Sequence, residues 1–373
     1  MKKPALFLLA LLLIFLPPVS AQSPKNLSSA ERKHKHPDTV KPAPPPHIKA
    51  PTEARPDDAR SDTPVDGQVR LGVDLVVLDA QVLQQKTGRI VGDLKKEDFK
   101  VFEDGVKQEI THFSQDTLPL SVILLVDRGG CLDPFGERMR QATLEALKRL
   151  RPQDEVALMT FARDVDLVHG FGADRNRIAD AVLRVPDHDE EAPHCFSRAF
   201  FEAAKYMRRA SNPDGRRVII MITAITRSFD CPGLSAEQAR LEVLESGSVV
   251  CGLIPKSPAQ QLENGIISSL ATIAGAFKVR SSGLKELAEE TGGEVLSDKP
   301  EVIDRAFNTL VEHLRTRYSI GYVSTNTARD GRLRKLKLEI APSRQSASDR
   351  LVVKTRRGYI APRGHAPKTA TRQ

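Results

Sequence analysis

Three runs of apolar residues, Leu120–Val126, Val218–Ile225 and Val249–Ile254, constrain this chain more than any other feature. A strand covered on both faces is apolar at nearly every position, as in a parallel sheet with helices above and below. The segments between the runs have helical spacing. In 135–150 the apolar positions are Met139, Ala142, Leu144, Ala146, Leu147 and Leu150. Ile178–Leu183, Phe196–Met207, Ala236–Leu244, Leu284–Glu290 and Val302–Leu314 repeat the pattern, and Gly292-Gly293 supplies a helix stop. Val156–Phe161 and Val165–Val168 are short strands, and Glu294–Leu296 reads as an edge strand. This alternation predicts an α/β fold, a doubly wound, mostly parallel, Rossmann-like sheet over residues 118–317.

The flanks have a different period. Val69, Leu71, Val73, Leu75 and Val77 alternate along one strand face, and Thr87-Gly88 marks a turn. Phe99–Glu103 is a strand, and Asp104-Gly105 is a hairpin turn leading into Val106–Phe113. Beyond the α/β region, Tyr318–Val323, Leu333–Ile340 and Leu351–Thr355 are strands. In the second of these, Leu336, Leu338 and Ile340 alternate with Lys335, Lys337 and Glu339. Neither flank is large enough to be stable alone. We therefore expect 68–117 and 318–362 to pair into one small β-sandwich into which the α/β domain is inserted.

The amino terminus reads as a secretory leader, residues 1–21. Lys2 and Lys3 precede the apolar run Ala5–Leu16, and Val19-Ser20-Ala21 offers a cleavage point. Residues 22–67 hold nine of the 25 prolines and few apolar side chains, the composition of a disordered linker. Residues 363–373 form a basic tail. The expectation is a secreted or periplasmic protein without a transmembrane segment once the leader is removed. The formal net charge is +8, and Arg332, Arg334, Lys335, Lys337, Arg356 and Arg357 lie in the carboxy-terminal strands, where a solvated strand face is the simplest reading. There is no Trp and aromatic residues make up 5% of the chain, which argues against a base-stacking platform and so against nucleic acid as a partner.

In doubly wound sheets ligands bind beyond the carboxyl ends of the strands. Three loops reach that edge. The first is Asp127-Arg128-Gly129-Gly130-Cys131, the second is Pro193-His194-Cys195 before the helix that carries Ser197, and the third is Thr223-Ala224-Ile225-Thr226. The order of elements resembles a von Willebrand factor type A (VWA) domain. The motifs Leu94–Gly105, Leu118–Val122, Leu284–Gly293, Tyr318–Tyr322 and Arg356–Pro362 are similar to the VWFA-related family common in Acidobacteria, from about residue 70 to 362.

That resemblance implies an exported binding module without a reaction of its own. Its domains usually hold a divalent cation through Asp-x-Ser-x-Ser in the first loop, a Thr in the second and an Asp in the third. Here Asp127 matches the first Asp, but Gly129 and Cys131 stand at the serines, His194 nearest the Thr, and Ala224 at the second Asp. No cofactor is expected, Mg²⁺ included, because a hard cation needs oxygen donors. If a metal did bind, Asp127, Ser197 and Thr226 would be its ligands. Cys131, Cys195 and Cys231 map to the same edge, and two of them are expected to form a disulfide in an oxidising compartment, small buried thiols being the simpler reading; Cys251 lies within a strand.

The expected function is binding of a protein or a cell-envelope component through Asp127, Arg128, Gly129, Gly130, Cys131, His194, Ser197 and Thr226, with no catalysis. The alternative is a transition-metal site of Cys131, His194, Cys195 and Cys231, or a thiol-dependent enzyme using Cys131 with His194. Limited proteolysis should trim the chain to a core of about residues 68–362. Separate stable fragments split near 118 and 317 would overturn the inserted arrangement.

Overall fold

The computed structural model describes residues 75–115, 118–130, 132, 136–185, 193–213, 215–225, 227–229, 231–255, 281–344 and 350–364. The expected leader and linker, the strand positions Val69, Leu71 and Val73, Cys131, Thr226 and the tail beyond Gly364 lie outside the described residues.

The centre is a six-stranded sheet. In chain order its members are β5 (Leu120–Asp127), β6 (Glu155–Phe161), β7 (Val165–Gly172), β8 (Arg216–Ile222), β10 (Val249–Pro255) and β12 (Val295–Asp298). In space they run β12-β10-β8-β5-β6-β7. All neighbours are parallel except β6 and β7. The sheet is thus mostly parallel with one antiparallel edge, and β12 is the other edge, as expected.

Helices cover both faces. Val122 and Leu124 of β5 face α1 (Gly136–Leu147), α2 (Arg175–Leu183) and α6 (Ile303–Arg315). Ile123 and Leu125 face α3 (Phe196–Met207), α4 (Ala236–Ser246) and α5 (Leu284–Thr291). This two-sided burial is why the central strands lack polar alternation. No helix of the described residues is long and apolar enough to cross a membrane.

The flanking segments interleave. β1 (Leu75–Gln84), β4 (Ile110–Ser114), β13 (Tyr318–Val323) and β15 (Leu351–Lys354) form one sheet, ordered β15-β1-β13-β4. β2 (Phe99–Glu103), β3 (Val106–Gln108), β14 (Leu333–Ile340) and β16 (Gly358–Ile360) form the other, ordered β16-β14-β2-β3. Each sheet draws strands from both ends of the chain, so neither flank forms its half of the sandwich alone. Asp104 (φ 48°) and Gly105 (φ 86°) both take positive φ in the β2–β3 hairpin, as a tight two-residue turn requires.

The sandwich core includes Leu78, Phe99, Val101, Tyr318, Ile320, Leu336 and Leu338. One facing differs from expectation. In β1 the alternate positions Val76, Leu78, Ala80 and Val82 are buried, joined toward its end by Gln81 and Leu83, while Leu75 and Val77 are 49% and 37% exposed. The run Leu75-Val76-Val77-Leu78 is apolar on both faces, so local alternation cannot identify its inner side. The carboxy-terminal basic residues do not make a uniform face. Lys335 and Lys337 are exposed, whereas Arg334 is buried and bonds Asp330 at 2.9 Å.

Among the polar contacts that tie the sandwich to the central domain, two centre on a single side chain. Arg216, at the start of β8, pairs with Asp79 of β1 at 3.1 Å. Its other nitrogens donate to the carbonyls of Leu314 and Arg315 at the end of α6 and of Arg317 before β13. The second joint is Glu294, which accepts from His313 of α6 at 2.7 Å and from Lys354 of β15 at 2.6 Å. Burial would raise its pKa, but the bonds and charges of His313 and Lys354 outweigh that and hold it at about 2.

A carboxyl held below its unfolded value of 4.5 contributes stability that is complete above that pH and is lost as pH falls toward about 2. The shift corresponds to on the order of 3 kcal/mol. Glu294→Gln should therefore lower stability at pH 6, and the gap to wild type should narrow by more than half by pH 3 in urea unfolding. An equal gap at both pH values would show that the carboxylate charge is not what this joint uses.

Candidate functional site

The sheet changes direction at β5. The chain moves to β6 and β7 on one side of it and later returns to β8 on the other. The carboxyl ends of β5 and β8 therefore flank the crevice where ligands of open α/β sheets bind. Asp127 is the last residue of β5 and its side chain is 0% exposed. A carboxylate so placed requires donors. The Gly129 N–H donates to Oδ1 at 2.9 Å, the Thr223 hydroxyl donates to Oδ2 at 2.7 Å, and His194 Nδ1 lies 2.9 Å from both oxygens. Asp127 thus joins all three loops of the edge.

An ionised carboxylate only accepts, so Nδ1 of His194 carries the hydrogen. The hydrogen bond to Asp127 raises the His194 pKa; burial opposes this, and the charge of Asp127 adds to the rise. The ring lies directly on the first loop. A Cβ built on Gly129 would be 2.5 Å from His194 Cε1 and Nδ1 and 3.1 Å from Cγ. A glycine at 129 is what lets the imidazole reach the carboxylate.

The second loop is also fixed covalently. Cys195 and Cys231 form a disulfide with Cα atoms 5.5 Å apart across 36 positions of sequence. Closing a loop of that length stabilises by about 4 kcal/mol in the chain-entropy account. The Cys195 N–H donates to the Ala162 carbonyl at 2.9 Å, and the Phe196 N–H to Ser228 Oγ at 3.3 Å. Ser228 belongs to β9 (Arg227–Phe229), which pairs with β11 (Ser281–Gly283) in a two-stranded ribbon. Arg198 pairs with Asp164 and donates to the Pro232 carbonyl, closing the outer side.

The expected edge residues are placed as follows. Asp127, Gly129 and His194 meet. Arg128 follows them, its N–H on the Phe161 carbonyl at 2.7 Å and its guanidinium 3.9 Å from Asp166. Gly130 completes the described part of the first loop, and Ser197 is buried in the first turn of α3. Ala224 is buried and brings only a methyl group. Cys131 and Thr226 lie outside the described residues, and the disulfide observed is Cys195–Cys231.

Thr223 stands in the third loop expected at this edge but is not among the residues expected to act there, and Ser228 lies outside the three expected loops. β8 ends at Ile222, so the third loop begins at Thr223 as read from the sequence, and the Thr223 hydroxyl stands at the edge. A hydroxyl residue interrupting an apolar run is the signal that could have found it. The disulfide withdraws Cys195 and Cys231 from the alternative metal set. Cys251 is buried, and burial pushes its thiol up to about 11, which leaves it unreactive. Among the described residues no group of three or more His, Cys, Asp and Glu side chains is placed to hold a metal ion.

The contact between Gly129 and the imidazole gives a double-mutant test. Gly129→Ala should destabilise the protein by roughly 1–3 kcal/mol, as overpacking does, and by less than half as much when His194→Ala is also present. Equal costs in the two backgrounds, measured by urea unfolding, would place the ring elsewhere.

The family model described as von Willebrand factor type A domain matches residues 122–224, from β5 to the loop of Thr223. No curated protein matches the chain. Among solved structures, an aerotolerance-related membrane protein from Bacteroides fragilis is 16% identical, with a TM-score of 0.36 over 52% of this chain and 98% of its own. BatB from Bacteroides thetaiotaomicron is 14% identical, with a TM-score of 0.34 over 52% and 99%. Proximal thread matrix protein 1 from the mussel byssus, solved with a zinc-occupied MIDAS motif, is 14% identical, with a TM-score of 0.39 over 57% of this chain and 49% of its own. This chain therefore spans about half the length of the mussel protein. With β5, α1, β6, β7, α2, α3 and β8 in this order, and the family match over the same segment, the chain carries a von Willebrand factor type A domain.

Proposed function

We propose that the protein is an exported binding module that engages a protein or cell-envelope partner through the carboxyl edge of its VWA sheet, without a bound divalent cation and without catalysis. The observation that carries this reading is the Asp127 hub. A cation site of the family's kind needs a set of oxygen donors open to the ion. Here both Asp127 oxygens accept from the Gly129 N–H, the Thr223 hydroxyl and His194. Gly129 and Ala224 offer no side-chain oxygen. The residues described do not fit Mg²⁺, which dehydrates reluctantly and favours octahedral oxygen ligation. The imidazole of His194 and the Cys195–Cys231 bridge hold the loops together in its stead.

Export is supported by the leader-like amino terminus and by the disulfide, which persists in oxidising compartments. Binding rather than catalysis is supported by the state of the candidate nucleophiles. Cys195 and Cys231 are bridged and the Cys251 thiol is buried.

Partner capture from an envelope extract, with the mature protein as bait, should be undiminished by EDTA and reduced by Arg128→Glu. Calorimetric titration with Mg²⁺ or Mn²⁺ should show no saturable micromolar binding. Saturable binding that Asp127→Ala removes, or capture that requires added Mg²⁺, would overturn the proposal.

A further inference from the structure

Arg317 stands between α6 and β13, and only 1% of its surface is exposed. A guanidinium is always charged and carries five N–H donors. Nη2 donates to the Gly292 carbonyl at 2.9 Å. Nε and Nη1 are buried and have no hydrogen-bond partner among the described residues.

The acids near Arg317 are engaged elsewhere. Asp79 and Glu294 are the carboxylates whose charges act on it. Asp79 pairs with Arg216 at 3.1 Å and accepts from Ser319 Oγ at 3.2 Å. Glu294 accepts from His313 and Lys354. The Cys251 thiol also lies close, but burial pushes it up to about 11, so it stays neutral. Arg216, Arg317 and Lys354 against Asp79 and Glu294 leave one positive charge unmet, even with His313 neutral. Arg356, which lies over the Tyr359 ring and donates to the Val77 carbonyl, adds another. Arg315 is outside this count, because Asp154 meets it. A buried charge without a counterion costs far more than one hydrogen bond returns.

A second group without partners stands beside it. Gln81 of β1 has no exposed surface, and neither its Nε2 nor its Oε1 has a hydrogen-bond partner among the described residues. Ala80 pairs with Tyr318, and both belong to the sandwich core. Successive side chains of a strand point to opposite faces. One step further in the same register, Gln81 and Arg317 are therefore opposite each other and on the other face, the one on which Asp79 meets Arg216 of the central domain.

We propose that Arg317 and Gln81 hold a buried monovalent inorganic anion of the size of chloride, where β1 and β13 meet the central domain. Arg317 supplies the charge and its two unpartnered nitrogens, and Gln81 supplies its NH2 group; the amide oxygen, an acceptor, takes no part. A water molecule in the same place would satisfy the N–H groups but leave the charge unmet. Burial on all sides excludes an organic acid. The site lies at the amino ends of β8 and β12 and shares no residue with the Asp127 edge, so neither reading depends on the other.

The test is thermal unfolding of the mature protein in sodium chloride and in sodium gluconate, at constant ionic strength. An ion bound only by the folded protein raises Tm with the logarithm of its concentration. Above the midpoint of the effect, each tenfold increase in chloride should add roughly 3–5 °C. Bromide should replace chloride, and gluconate should not. Gln81→Leu should move the midpoint to roughly tenfold higher chloride, the effect expected of one hydrogen bond to a charged group. Arg317→Met should abolish the chloride dependence; if that variant does not fold, Gln81→Leu still decides the matter. Crystals grown in bromide should show an anomalous peak within hydrogen-bond reach of Arg317 Nε or Nη1. Equal Tm in chloride and gluconate would overturn the proposal. So would a chloride response unchanged in Gln81→Leu, or bromide found only at surface positions.

Discussion

A carboxylate at the end of a fully buried strand is the constraint around which the candidate site is organised. β5 is covered on both faces, so its final side chain is delivered into the interior of the edge rather than to bulk water. Asp127 must then be met by donors, because an unpaired buried charge costs far more than any single contact returns. The donors come from three separate loops: the Gly129 amide from its own, His194 from the approach to α3, and Thr223 from the exit of β8. One charge thereby fixes the relative positions of segments nearly a hundred residues apart in sequence, with the Thr223 bond alone spanning 96 positions.

The opposite edge of the sheet meets a different requirement. There the chain passes from α6 directly into β13 of the sandwich, so a helix must end where a strand of another sheet begins. Arg216 meets both needs with one side chain. Its guanidinium satisfies carbonyls at the carboxyl end of α6, where a cation also suits the helix dipole, and its Nε pairs with Asp79 of β1. Glu294 repeats the logic between α6 and β15. The sandwich is therefore attached in part through polar contacts that are directional, Arg216 with Asp79 and Glu294 with Lys354 among them.

How much of this was legible in the sequence follows from the range of each interaction. Strand and helix identity in the central domain depends on local period and on apolar runs, and Phe196–Met207 appears over the bounds its spacing implies. Pairing of the two flanks was legible because each lacks enough apolar surface alone. The inner face of β1 was not, since the stretch from Leu75 to Leu78 would read the same with either face inward, and only pairing with β13 and β15 decides it. Thr223 was legible as a loop residue but not as a donor to Asp127, because that bond joins positions 96 apart and leaves no local signal. The choice of Cys231 as partner of Cys195 depends on where the ribbon of β9 and β11 runs, and neither three-residue strand leaves a periodic signal.

The substitutions at the edge make sense only as a set. An imidazole is bulkier than a hydroxyl, and it can reach Asp127 only over a residue without a Cβ, which is what Gly129 supplies. Once there, the ring delivers one hydrogen to two carboxylate oxygens and carries a positive charge whenever Nε2 is also protonated. A ring fixed through its own backbone is then effective only if that backbone is held. The residue after His194 is Cys195, joined to Cys231, and its N–H is bonded to Ala162. Glycine, histidine and disulfide are thus one device. The glycine makes room, the histidine supplies donor and charge, and the bridge keeps the histidine where the carboxylate needs it.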